Sequence, residues 1–192
     1  MQVSIGFIHG FAVEDWNDLS SYVIEAERMG VHSVWSPEAW GFDGATPLAY
    51  LAAKTSTIKL GTGILQLGAR TPTNVAMTAM SLYSMSGGRF LLGLGTSGPQ
   101  VMEGFHGVVF DRPIQRTRET IEIIKNVLSG QRVAYQGEEY RLPVREGQGK
   151  PIRAEGTTML DIPIYIASLG PRNLRLTGEL ADGWQGTCFM PE

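Results

Sequence analysis

The sequence predicts an α/β protein built on a parallel sheet, and three observations predict it. Extended apolar runs alternate with stretches of helical periodicity six times along the 192 residues. Helix starts are marked by proline and helix ends by glycine. Each strand run stops in polar or glycine-containing residues, at His9, Glu38, Gln66, Thr96, Ser168 and Cys188, which would gather on one face. Right-handed crossovers then leave two architectures, a doubly wound sheet and a (β/α)8 barrel. Six strands suit the first, and the polar strand tips suit the second.

The elements follow in order. Val3, Ile5 and Phe7 begin an extended run, and Leu19, Tyr22, Val23, Ala26 and Met29 recur at helical spacing before Gly30, a C-terminal cap. Ser33-Val34-Trp35 is a short strand, after which Thr46 as N-cap and Pro47 open a helix to about Thr55. Ile58 to Leu67 reads as one strand; Thr71-Pro72 starts the next helix and Gly87-Gly88 stops it. Arg89 to Gly93 is the fourth strand, leading into the glycine-rich run Gly93-Leu94-Gly95-Thr96-Ser97-Gly98, read as a turn offering backbone N–H groups to a ligand. Those six residues spell G-x-G-x-x-G. The dinucleotide fingerprint, however, belongs at a first βα turn and asks for an acid about twenty positions on, whereas here two or three βα units precede the run and Pro99 follows it.

A short segment from Gln100 to Gly107 comes next, then a helix with Asp111 as N-cap, Ile121, Ile124 and Leu128 on one face, and Gly130 as its end. Val133 and Tyr135, then Tyr140 and Leu142, flank Gln136-Gly137-Glu138-Glu139 as in a hairpin. Arg145 to Asp161 reads as a long loop, so residues 131–160 form a hairpin-and-loop insertion in a single domain spanning 1–192. Ile162 to Ile166 is a fifth strand, Pro171 opens a helix to about Ala181, and Trp184 lies in a sixth strand.

Composition narrows the function. A net charge of −3 with no Lys/Arg run excludes the electrostatic footprint of a nucleic-acid binder. No apolar stretch reaches about eighteen residues and the first residues lack a signal-peptide pattern, so a cytoplasmic protein with no membrane partner is expected. The one cysteine, Cys188, has no His partner nearby in sequence and reads as a small residue near a strand end. No His/Cys/Asp spacing suits a metal.

Several segments together resemble the bacterial luciferase-like flavin and deazaflavin oxidoreductases, particularly the branch that uses coenzyme F420. They are Ser36 to Gly41, Leu60-Gly61-Thr62-Gly63-Ile64, the run from Leu92 to Gly107, the hairpin Val133 to Tyr140, and Ala167-Ser168-Leu169-Gly170-Pro171 followed by Ala181-Asp182-Gly183-Trp184. The resemblance implies the barrel rather than the doubly wound sheet. It also implies F420, with FMN as the alternative, bound at the C-terminal ends of the strands and exchanging hydride with a small organic substrate. Carried over by position, Gly63-Ile64 would be a non-prolyl cis peptide behind the ring, and Thr96, Ser97 and Gly98 would lie along its pyrimidine side. Glu38 would be an acid at its polar edge.

Ser168, Leu169, Gly170 and Pro171 at a helix start, with Arg172, read as the phosphate site, because a helix N-terminus offers open N–H groups and partial positive charge. Glu103 and His106 stand where a side chain could reach substrate, and His106 joins Glu38 as a candidate catalytic residue. His9, ending the first strand, is a further histidine near the expected face. The chain departs from the family's sugar-phosphate dehydrogenases, which carry Asp-His after the second strand and Gly-Glu after the fourth. Here Glu38-Ala39 and Ser97-Gly98 stand there, so glucose 6-phosphate is not the expected substrate. A complete barrel needs about 250 residues. About six βα units are therefore expected, without the C-terminal ones, and self-association is expected to cover the exposed sheet edges.

Overall fold

The computed structural model describes residues 2–6, 15–156 and 159–186. His9 and Cys188 lie outside them. The elements are β1 (Ser4–Gly6), α1 (Trp16–Arg28), β2 (Ser33–Ser36), α2 (Thr46–Ala52), β3 (Lys59–Thr62), β4 (Leu65–Gln66), α3 (Pro72–Met85), β5 (Phe90–Gly95), α4 (Pro99–Met102), α5 (Pro113–Leu128), β6 (Tyr135–Gln136), β7 (Arg141–Leu142), β8 (Ile164–Ala167), α6 (Pro171–Leu180) and β9 (Gly183–Gln185). The main sheet runs β1-β2-β3-β5-β8-β9 with every pair parallel, and β4 also pairs with β5. Because this order never reverses, each right-handed crossover lays its helix on the same side of the sheet. The helices accordingly touch in sequence, α2 with α3, α3 with α5 and α5 with α6. A doubly wound sheet requires a reversal of strand order. The architecture is therefore a six-strand parallel half-barrel of the TIM-barrel kind.

The two faces of the sheet differ in what they hold. Toward the helices point Val34, Leu60, Phe90, Leu92, Leu94, Ile164 and Ile166, all buried against Leu48, Leu51, Val75, Ala79, Ile121 and Ile124. The inner wall instead sets large residues against glycine. Trp35 is in register with Gly61, and Tyr165 with Gly183. A Cβ at Gly61 would overlap the Trp35 ring, and one at Gly183 the Tyr165 ring. The two rings meet edge to face at 5.3 Å, a favoured aromatic geometry.

Two sequence readings change here. Ile58 to Leu67 is not one strand: it breaks between β3 and β4 at Gly63-Ile64, whose peptide bond is cis. Gly61 pairs with Leu91 and Leu65 with Leu94, so Thr62, Gly63 and Ile64 stand opposite only Leu92 and Gly93. That is a bulge. The Thr62 hydroxyl replaces the missing ladder bonds, accepting from Gly93 N at 2.8 Å and donating to Gly93 O at 2.9 Å. The second change follows from the first. Gly93 and Gly95 belong to β5 rather than to a turn, because the broken strand passes so close that a Cβ at Gly93 would overlap the Thr62 carbonyl oxygen. One at Gly95 would stand 2.9 Å from Ile64 Cγ1.

Helix ends follow local chemistry, with two corrections. Thr71 caps α3 by accepting from Asn74 N, and Gly30, Gly87, Gly88 and Gly130 take the positive φ expected after a helix. Thr46 is the first residue of α2 rather than its N-cap, since Asp43 Oδ1, a stronger acceptor, takes the N–H groups of Ala45 and Thr46 at 2.9 and 2.8 Å. Likewise Arg112, not Asp111, precedes α5, and Asp111 pairs with Arg116 one turn on, at 2.7 Å.

The expected hairpin is present as β6 and β7, with Tyr135 opposite Leu142. Its turn rests on α5 through Glu119, a buried carboxylate. Oε1 accepts from Glu138 N at 2.8 Å and from Gln115 Nε2 at 2.8 Å, and Oε2 accepts from Glu139 N at 3.0 Å and Tyr140 N at 2.8 Å.

At the opposite end of the strands Arg89 closes the barrel floor. Its Nε donates to Ser86 O, Nη1 to Ile58 O and Thr55 Oγ1, and Nη2 to Ala52 O and Thr55 O, at 2.7 to 3.2 Å. Lysine has three donors and no planar fork. We expect Arg89→Lys to lower the urea-unfolding free energy by about 2–3 kcal/mol through the unpaired carbonyls. An unchanged midpoint would show that the fork is dispensable.

Candidate functional site

The parallel strands deliver their C-terminal ends to one side. There Pro37-Glu38 follows β2, the Gly63-Ile64 break follows β3, Thr96-Ser97-Gly98 follows β5, and Ser168-Leu169-Gly170 follows β8. Ile64 lies over Gly95 and stays half-buried, because only a residue without Cβ beneath it leaves room for its branched side chain.

Glu38 is the most heavily engaged group of this face. Its side chain is 9% exposed. Oε2 accepts from Gly44 N at 3.0 Å and from Arg70 Nη2 at 2.7 Å, and Oε1 accepts from Gln66 N at 3.2 Å. Both oxygens act as acceptors, as an ionised carboxylate does. Through these bonds Glu38 ties the β2–α2 loop to the end of β4. Arg70, whose guanidinium bonds Glu38, has its pKa raised by that bond and stays charged. Gln66 extends the tie by donating from Nε2 to Ala39 O at 2.6 Å.

Thr96 is half-buried, and its Oγ1 donates weakly to Ser97 O at 3.3 Å. Ser97 makes the turn at φ +55°, and Gly98 precedes α4 with no atom within 4 Å of where a Cβ would be. Gly170 is similarly open and precedes α6, which has Pro171 at its first position and no side-chain cap. Arg172 and Leu169 are exposed beside it. Ser168 is not available as its sequence position suggests. It is buried with Oγ 2.8 Å from Thr177 Oγ1, while its carbonyl accepts from Trp184 Nε1 at 2.8 Å.

His106 is exposed, its ring edge-on to Phe105 at 5.1 Å. No hydrogen bond or ion pair among the described residues joins it to Glu38 or to the Thr96–Gly98 turn, so the structure does not assemble Glu38 and His106 as a pair. Glu103 is exposed and accepts from Phe110 N at 3.0 Å. Sequence reasoning missed Arg70, and it named Gln66 and Thr62 without the bonds they make. Arg70 had one signal, a charged residue directly before a Thr-Pro helix start. Among the described residues no group of three metal-binding side chains occurs, and no helix is long and apolar enough to cross a membrane.

Comparison with known proteins gives a consistent picture. The profile of the family described as luciferase-like monooxygenase matches residues 4–192. A Mycobacterium tuberculosis protein, named provisionally as a coenzyme F420-dependent oxidoreductase, is 44% identical over 181 residues, 88% of this chain and 50% of its own length. The 5,10-methylenetetrahydromethanopterin reductase of Methanolobus tindarius is 34% identical over 166 residues, 86% of this chain and 48% of its own. Among solved structures, the coenzyme F420-dependent tetrahydromethanopterin reductase of Methanopyrus kandleri superposes with a TM-score of 0.82. It shares 24% identity and covers 96% of this chain and 55% of its own. The chain spans about half the length of the curated relatives it matches.

Proposed function

We propose, because the chain belongs to the luciferase-like monooxygenase family, that its gathered strand tips hold coenzyme F420 and serve an oxidoreductase acting on an uncharged organic substrate. The observation that supports this reading is that parallel strands bring Gly63-Ile64, Thr96-Ser97-Gly98 and Ser168-Leu169-Gly170 to the same end of the sheet. Ile64 rides over Gly95 to give an apolar contact at the tip of a broken strand, and the backbone at Gly98 and Gly170 can be approached without obstruction. Bound F420 would supply a carbon centre that takes up or gives out hydride. The chain's own residues do the rest. Ile64 would shield one face of the ring from water, and Thr96, Ser97 and Gly98 would border its polar edge. The start of α6, with Arg172, would neutralise phosphate through open N–H groups and a full positive charge. Glu38, locked to Arg70 and Gly44, would hold the β2–α2 loop against the ring.

Sugar phosphates are not the substrates favoured here, since Glu38-Ala39 and Ser97-Gly98 replace the acid and histidine that the corresponding dehydrogenases use. Titrating the chain with F420, FMN and NAD and following fluorescence tests the cofactor. Saturable quenching of F420, weaker quenching with FMN and none with NAD are expected. Tighter binding of FMN would replace F420 in the reading, and binding of NAD alone would overturn it. Arg172→Ala should weaken F420 severalfold with an unchanged melting temperature, as expected for one exposed charge at a helix start. An unaltered affinity would remove Arg172 from the site.

A further inference from the structure

Away from the strand tips, the 131–160 insertion carries two arginines that the fold itself leaves unanswered. Leu160 N bonds Leu128 O at 2.9 Å, so the insertion leaves and rejoins the domain at the C-terminal end of α5, close in sequence to the start of β8. There Arg132 and Arg153 face each other across an isolated antiparallel bridge. Val133 N donates to Ile152 O at 2.9 Å. That bond flanks the bridge, which makes Arg132 and Arg153 a non-hydrogen-bonded pair, the kind in which Cα atoms lie about 4.5 Å apart and side chains leave the ribbon together. Both residues are exposed.

Like charges set directly opposite each other destabilise a ladder, and no neighbour relieves this pair. Among the described residues, no carboxylate oxygen comes within 4.0 Å of either guanidinium. The acids of the hairpin turn are engaged elsewhere, Glu138 with Arg112, and Glu139 with Arg112 and Arg116. Glu155, two residues beyond Arg153, pairs with neither arginine. Arg132 Nη1 donates to Pro151 O at 3.1 Å, which turns its head toward Lys150, a third exposed cation. Arg70 and Arg89 show the contrast. Arg70 spends its guanidinium on Glu38, and Arg89 fills its fork with the carbonyls of Ala52, Thr55, Ile58 and Ser86. Arg132 keeps most of its donors open, and Arg153 keeps all of them.

We propose that Arg132 and Arg153, with Lys150 beside them, form a binding site for a doubly charged phosphoryl group, inorganic phosphate or a phosphate monoester. The site is independent of the function proposed above. A guanidinium presents a planar fork that bonds two phosphate oxygens at once. Two forks on one side of a ribbon match a group that carries two charges and three or four oxygens. A bound dianion replaces the repulsion between the arginines by attraction of each to a shared centre. A lone carboxylate, with one charge and two oxygens, satisfies a single fork and leaves the second cation unanswered.

Arginine side chains labelled with nitrogen-15 report on the site directly. Their Nε–H resonances, assigned for Arg132 and Arg153 by absence in Arg132→Gln and Arg153→Gln, are followed by NMR as inorganic phosphate is added at constant ionic strength. Both should move with one saturation constant of about 1 mM, and acetate should bind at least about tenfold more weakly. Arg153→Gln should weaken phosphate at Arg132 by about tenfold. Methyl phosphate separates the sources: binding as strong as that of phosphate supports an ester as the ligand, and exclusion of methyl phosphate supports the free ion. Thermal melting adds a readout that a purely structural pair would move the other way. In phosphate-free buffer of low ionic strength Arg153→Gln should melt no lower than the parent, because it relieves the repulsion. Resonances that stay still, that saturate at different concentrations or that respond equally to acetate overturn the site. So does an Arg153→Gln chain that melts lower without phosphate.

Discussion

Gly93→Ala is expected to remove a large part of the stability of the chain. The residue is buried in β5, and a methyl group there would overlap the carbonyl oxygen of Thr62, while Gln185 Nε2 stands 2.9 Å away on another side. Thr62 O is backbone, and its strand is fixed by the hydroxyl bridge to Gly93 itself, so no flexible end of a side chain can yield. Overpacking of a core commonly costs about 1–3 kcal/mol, and a clash with backbone belongs at or beyond the upper end. We expect about 4 kcal/mol or more, against a total of about 5–15 kcal/mol for a typical domain. Urea unfolding measures it. Gly98→Ala is the control: it adds the same methyl where nothing lies within 4 Å, at φ −144°, and should cost less than about 1 kcal/mol. Equal midpoints for the two variants would refute the close-approach account of the glycine run.

The second large effect is expected at Glu119. Its carboxylate accepts three backbone N–H groups of the hairpin turn and the Gln115 amide, and Gly137 permits the approach, since a Cβ there would overlap Oε2. In Glu119→Gln the new NH2 group would point at the N–H groups of Glu139 and Tyr140, donor against donor. Unsatisfied buried donors cost about 1–3 kcal/mol each, so a loss of about 3 kcal/mol is expected. The acid limb gives an independent readout. Burial by itself pushes the Glu119 pKa up, but the bonds from Gln115, Tyr140, Glu138 and Glu139 outweigh it and hold it below the ordinary 4.5. A carboxylate whose pKa is lower folded than unfolded adds stability above its unfolded value. That stability disappears as pH falls below about 4.5 and through the folded value. Glu27, which accepts from Ser56, Thr57 and Ile58, has the same sign. Stability of the parent chain should therefore fall with acid below about pH 4.5, and the Gln variant should show a shallower decline. Parallel curves would mean that Glu119 is not a source of the acid lability.

Much of this was legible in the sequence because it is governed by neighbours in the chain. The βα alternation, the Thr71-Pro72 start, the glycine stops and the hairpin all obey short-range rules, and the structure follows them. The resemblance placed the cis peptide at Gly63-Ile64, where the structure has it. What escaped depends on contacts that only folding creates. The partner of Glu38 was not legible, since Arg70 is 32 residues away and nothing local announces their pairing. The run from Gly93 to Gly98 looked like a ligand-binding turn because its letters match one. Its first two glycines answer instead to Thr62 and Ile64 on a neighbouring strand. Ser168 likewise lost its hydroxyl to Thr177, nine residues on, across the start of a helix.

The inner wall, finally, constrains how this protein can change over time. Trp35 lies across Gly61 and Tyr165 across Gly183, each aromatic occupying the space its opposite number lacks. Neither glycine can gain a side chain while its ring remains, and loss of either ring alone would leave a void. Accepted substitutions at these four positions should therefore arrive as compensating pairs, with size handed from one strand to the next. Descendants of this chain inherit two linked choices rather than four independent ones.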